Sequence, residues 1–246
     1  MRARPAAALV LALLLAGCAG TRVAPSPAPA AAAAAPAPKA PAAPAAGNLF
    51  STIACADTAL GRTWAKLRPE AAVRFPGLAL TKVEDLHVTV VYVGPGWKRD
   101  DLGRIRALAL VAPREPFTSR PEVVRFGATG HVVVAELRDA PAAWKEEVGA
   151  AKAEMNRLGL KKPDRYDAAF RPHVTLASSN RRPPEAADAA ELDAFRAWLA
   201  GKAAAAPASF AVALGPGTPV RLWIAGLPRP AGAPEYVDLD GTGPDR

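Results

Sequence analysis

Two short runs place an imidazole and a hydroxyl two residues apart: "LHVTV" at 86–90 and "PHVTL" at 172–176. The chain has three histidines, and two of them, His87 and His173, stand in these runs with Thr89 and Thr175 beside them. In an extended strand the side chains alternate with period two. Each histidine therefore shares a face with its threonine, while Val88, Val90, Val174 and Leu176 anchor the opposite face. A neutral imidazole can take a proton, an imidazolium can give one, and two hydroxyls can hold the non-bridging oxygens of a phosphate. One such strand is an ordinary structural pair. Two of them supply both halves of acid/base chemistry on a phosphodiester. Metal ligation fits less well, because each run supplies one nitrogen and no H-x-H or H-E-x-x-H accompanies it, so neither a metal nor a cofactor is expected.

The same alternation assigns the neighbours. Tyr92 falls on the Val88 face and is expected to be a packing residue. Arg171 falls on the Thr175 side, where it could reach a phosphate unless Pro172 bends the strand. His131 is expected at a strand edge. Trp97, Tyr166, Phe170 and Trp223 could stack a base, with core packing the expected role for most of them.

These residues need elements to position them. "NLFSTIA" (48–54) reads as a strand, and "DTALGRTWAKLR" (57–68) as a helix with Leu60, Trp64 and Leu67 on one side. The β-branched run at 85–93 reads as a strand stopped by "GPG", and a helix is expected from Asp100 and Asp101 through about Leu110. "EVVRF" (122–126) and "HVVVAEL" (131–137) read as a hairpin. A helix over 140–158, capped by Asp139 and stopped by Gly159, turns Trp144, Val148, Ala151, Met155 and Leu158 inward. After the second histidine run come a helix near 186–200 and strands near 208–214 and 220–226. Mixed strands and helices with hairpins point to α+β rather than a doubly wound parallel sheet.

The N-terminus has a separate role. Two arginines, an apolar run too short to span a bilayer comfortably, and a small-residue site read as a signal peptide over 1–17. "LAGC" at 15–18 resembles the lipobox of bacterial lipoproteins, which implies lipidation of Cys18. Ala19 after that cysteine favours the outer membrane over the inner, with the domain in the periplasm. Residues 18–48 are almost all alanine and proline, an expected tether reaching on the order of 90 Å. One domain is expected over 49–240, followed by a short flexible tail at 241–246. The first 48 residues carry four basic groups and no acidic one, so +4 of the formal +8 remains with the domain. That charge suits a small anionic ligand rather than duplex nucleic acid, and a monomer is expected. Cys55 is the sole cysteine left after Cys18, so no intrachain disulfide is available, and it reads as a small buried residue.

"LHVTV" with the following "VYVG", and "FRPHVTLA" at 170–177, resemble the two HxTx signatures of the 2H phosphoesterase superfamily, nearest its 2′-5′ RNA ligase and cyclic phosphodiesterase branch. The likeness covers most of 49–226. It implies a bilobal α+β fold whose two pseudosymmetric halves each deliver one motif to a common cleft. It also implies that His87 and His173 are the acid/base pair and that Thr89 and Thr175 bind phosphate. Many members carry an arginine just after the second motif; this chain departs from that with "ASSNRR", where Arg181 or Arg182 can substitute only if the loop folds back. The implied activity is metal-independent hydrolysis of a 2′,3′-cyclic nucleotide or similar small phosphodiester. A non-catalytic envelope lipoprotein that binds an anionic metabolite, and 2′-5′ RNA ligation by the reverse reaction, are the alternatives.

Overall fold

The computed structural model describes residues 47–226 and 236–239. The expected signal peptide, Cys18, nearly all of the tether and the 241–246 tail lie outside them.

The chain runs β1 (Asn48–Ala54), α1 (Ala59–Arg74), β2 (Leu78–Leu80), β3 (His87–Gly94), α2 (Leu102–Ala109), β4 (Phe117–Ser119), β5 (Glu122–Phe126), β6 (Val132–Glu136), α3 (Ala142–Arg157), β7 (His173–Ser179), α4 (Ala186–Ala205), β8 (Val212–Leu214), β9 (Val220–Ala225) and β10 (Tyr236–Asp238). Short 3₁₀ turns precede α2 and follow α4. The main sheet has the order β10-β9-β1-β3-β7-β6-β5, with β2 added to β7, and every pairing is antiparallel. This is the expected α+β class.

Its two halves repeat. Strand β1, helix α1 and strand β3 make one unit, and β6, α3 and β7 make the other; in each, the histidine strand pairs with the strand before the helix. The units meet at the sheet centre through the β3–β7 bridge between Val88 and Val174. Val88, Val90, Val174 and Leu176 are buried with Trp64 of α1, Trp144 and Met155 of α3 and Phe195 of α4 in one apolar cluster. A fully buried aliphatic side chain contributes about 1.5–3 kcal/mol, so these residues fix which face of each strand turns inward.

Several local expectations change. Helix α1 continues past Arg68 and through Pro69 to Arg74. The hydrogen bond lost at Pro69 is offset by the last turn, where Ala71 is buried and Phe75 packs edge-on against Phe195 at 5.3 Å. Thr58 caps the helix by accepting from the Gly61 amide. Asp139 does not cap α3, whose N-cap is Pro141. Its carboxylate instead accepts from Ser119 Oγ and the Arg120 amide. Residues 207–210 form a 3₁₀ turn rather than strand. Cys55 is buried as expected, and desolvation pushes its thiol up to about 12.

Candidate active site

The apolar face of β3 and β7 is closed by the core. His87, Thr89, His173 and Thr175 point the other way and are each half-buried. Antiparallel counting outward from the Val88–Val174 bridge sets His87 across from Thr175 and Thr89 across from His173. The four side chains therefore make a square of alternating imidazole and hydroxyl at the centre of the sheet. The positive charge of His173 also depresses the pKa of His87, as expected of neighbours on one face.

Both rings are held alike. His87 Nδ1 lies 2.7 Å from the carbonyl of Asp85, and His173 Nδ1 lies 2.7 Å from the carbonyl of Arg171. A carbonyl can only accept, so each Nδ1 carries a proton and donates it. With Nδ1 donating, Nε2 is the nitrogen of each ring able to exchange a proton.

The environments of the rings differ. His87 sits between Phe50 and Trp223, with ring centroids 5.5 and 5.2 Å away. Burial lowers its pKa to about 4, the Asp85 carbonyl opposes that, and His173 adds to it. His173 lies 4.1 Å from Phe126. Burial lowers its pKa as well; the Arg171 carbonyl and the Glu136 carboxylate oppose that, and the charges of Arg171 and Lys152 add to it, so the net direction is still downward. Glu136 is its partner in the β6–β7 register and is nearly fully buried. His87 is thus suited to be the neutral base and His173 the proton donor.

Arg171 does lie near the cleft, but its fork is engaged. Nε and Nη2 donate to Glu136 at 2.7 and 2.8 Å, and the guanidinium carbon stands 4.9 Å from the Phe126 ring. Arg181 pairs with Glu185, so it is not directed at the histidines.

Tyr92 is a correction. It is 42% exposed and pairs in register with Phe50, the residue against His87. The cause is a bulge: Thr52 pairs with Thr89 but Ser51 pairs with Val91, so Val90 is an extra residue and the alternation reverses after it. Strand β7 repeats the device. Val134 pairs with Thr175 and Val133 with Ala177, which makes Leu176 the extra residue. Each histidine strand therefore bulges immediately after its threonine, turning Tyr92 and Ser178 onto the cleft side.

The four aromatic residues with stacking potential divide evenly. Trp223 abuts His87, and Tyr166 stacks on Phe126 at 6.2 Å with planes 19° apart. Phe170 packs edge-on against Trp144, and Trp97 donates its indole N–H to the Gly47 carbonyl. Phe50, Phe126 and Glu136 were not singled out by the sequence. Their signal is non-local, since strand register alone brings them to the histidines.

No family model matches the chain and no curated protein matches it. Solved structures do. The chain is similar to a phosphoesterase at 18% identity, with 78% of this chain and 95% of that chain covered and a TM-score of 0.49. It is similar to Escherichia coli LigT complexed with 3′-AMP at 16% identity, with 79% and 95% covered and a TM-score of 0.49. It is also similar to LigT complexed with phosphate at 18% identity, with 79% and 95% covered and a TM-score of 0.46.

Proposed function

We propose that the protein is a phosphodiesterase that hydrolyses a 2′,3′-cyclic nucleotide or a similar small cyclic phosphodiester by paired-histidine catalysis. The observation that carries this reading is the square of two imidazoles and two hydroxyls, with both Nδ1 atoms tied to backbone carbonyls.

The phosphate sits between Thr89 and Thr175, whose hydroxyls donate to its non-bridging oxygens. Neutral His87 takes a proton from water through Nε2, and the water oxygen forms a bond to phosphorus. The bond from phosphorus to one ribose oxygen breaks, and the His173 imidazolium delivers its proton to that oxygen. The product is a phosphomonoester with a free ribose hydroxyl. An anionic substrate supports this assignment, because its charge favours protonation of a ring that burial otherwise keeps neutral. A cyclic substrate is favoured because reacting and leaving atoms are already fixed in one ring.

A lipid anchor on Cys18 would hold this activity at the cell envelope, on the periplasmic side of the outer membrane. The direct test is turnover of 2′,3′-cyclic nucleotides by the purified full chain in EDTA. Release of monoester is expected, and it should be lost in His173→Ala. Turnover that depends on added metal would overturn the mechanism.

A further inference from the structure

A third hydroxyl stands beside the square. Thr52 of β1 pairs in register with Thr89 on one side and with Arg221 of β9 on the other. Directly opposed residues share a face, so Thr52 lies on the cleft side, as does Phe50 two residues before it, whose ring stands against His87. Thr52 is 1% exposed, and its buried Oγ1 makes no hydrogen bond among the described residues. The neighbouring Ser51, on the opposite face, is paired: its Oγ donates to the Ala109 carbonyl at 2.6 Å and accepts from the Val91 amide at 3.1 Å. A buried hydroxyl without a partner costs free energy that an aliphatic group of the same shape does not.

The second unit supplies the comparison. There Val134 pairs with Thr175 as Thr52 pairs with Thr89, each just after the break in register, and Val134 is fully buried too. Valine and threonine have nearly the same shape, so the backbone and packing at this position do not call for a hydroxyl. Yet in the first unit one is present, one strand from a threonine of the square. Cβ atoms of such a cross-strand pair stand about 4.5–5.5 Å apart, and rotation about χ1 brings the two oxygens within hydrogen-bond distance.

We propose that Thr52 is a positioning residue for Thr89: when a phosphate fills the square, the Thr52 O–H donates to Thr89 Oγ1 and turns the Thr89 proton toward a non-bridging oxygen. A hydroxyl has one proton and two lone pairs, so Thr89 accepts from Thr52 and donates to phosphate together, and each bond strengthens the other. Thr175 receives no such support from Val134, its register partner, so the two threonines grip the phosphate unequally. The inference rests on the phosphodiesterase reading for what occupies the square.

The test is Thr52→Val in the full chain. Its melting temperature should rise by about 2–4 °C, because a buried hydroxyl without a partner is removed. Its kcat/KM on a 2′,3′-cyclic nucleotide and its affinity for inorganic phosphate, measured by calorimetry, should each fall by about 3- to 10-fold. Thr52→Ser keeps the hydroxyl and should restore most of both, and in a Thr89→Val background Thr52→Val should cause no further loss. Unchanged kcat/KM and phosphate affinity, or a loss that multiplies with that of Thr89→Val, would overturn the role. A lower melting temperature would show the hydroxyl serving the fold and would overturn it as well. Phosphate binding needs no turnover, so the two readings fail separately. Thr52-dependent phosphate affinity without hydrolysis of a cyclic nucleotide removes the hydrolase reading and keeps the role of Thr52; hydrolysis indifferent to Thr52 does the reverse.

Discussion

His87 and His173 are chemically the same side chain, and their surroundings give them different work. His87 is flanked by Phe50 and Trp223, and its pKa falls to about 4. His173 faces Glu136, which counters part of the burial. The free enzyme should therefore show a bell in kcat/KM on the acid side of neutrality, with its lower limb near pH 4 where His87 protonates. The kcat profile should move upward, because bound phosphate favours the imidazolium. Glu136→Gln should shift the alkaline limb of kcat/KM to lower pH, since His173 loses the charge that supports its protonation. An unmoved limb would remove Glu136 from that role. The same burial affects stability. The folded His87 pKa lies below the unfolded value of 6.5, so the unfolded chain binds more protons between pH 6.5 and about 4, and stability falls as pH falls through that window. The loss is at most about 3 kcal/mol, and His87→Gln should flatten it in thermal melts at pH 4.5 and pH 7. Thr89→Val and Thr175→Val keep the strand shape and, on the proposed mechanism, would remove one phosphate hydrogen bond each. Each should lower kcat/KM by a factor equivalent to about 1–3 kcal/mol.

The elements that hold these residues were legible in the sequence to different depths. The period of two places His87 with Thr89 and His173 with Thr175 because both pairs precede the bulges. It fails at Tyr92 because an extra residue at Val90 reverses the faces, and no glycine or proline marks that spot. Helix α1 was expected to stop before Pro69, and tertiary packing of Ala71 and Phe75 carried it on. Short strands such as β2 and β4 have too few residues to show a period; pairing with β7 and β8 defines them. The connection from α3 to β7 holds Tyr166 through two buried lysines. Lys152 Nζ donates to the Tyr166 carbonyl at 3.1 Å, and Lys161 Nζ donates to both Asp167 oxygens at 2.8 and 2.7 Å. Burial alone would raise the pKa of Asp167, but Lys161, Asn156 and the Asp164 amide together lower it. Asp167→Ala leaves the fully buried Lys161 ammonium without its closest carboxylate and should destabilise the protein by about 3 kcal/mol. Amide exchange should rise first in 161–167; unchanged protection there would contradict a supporting role for the pair.

At the scale of the molecule, two repeated units meet at one bridge, and the meeting point is where chemistry becomes possible. Neither unit alone holds two imidazoles. The bilobal plan, which in the sequence rested on the resemblance alone, is seen in the structure as the order strand, helix, histidine strand occurring twice. The sequence could not show which strands pair, because hydrogen-bonded neighbours such as β1 and β9 lie far apart in the chain. Among the described residues no helix is long and apolar enough to cross a membrane. If Cys18 carries the lipid, Cys18→Ser should move the protein from the membrane fraction to the soluble one, and tight retention would count against the anchor. The central claim is that His87 and His173 act together on one phosphate. It is tested most directly by a double-mutant cycle on a 2′,3′-cyclic nucleotide in EDTA. His87→Ala and His173→Ala should each lower kcat by roughly 10² to 10⁴ with melting curves intact, and the double variant should fall little further than the worse single one. Full activity in either single variant, or losses that simply multiply, would contradict it.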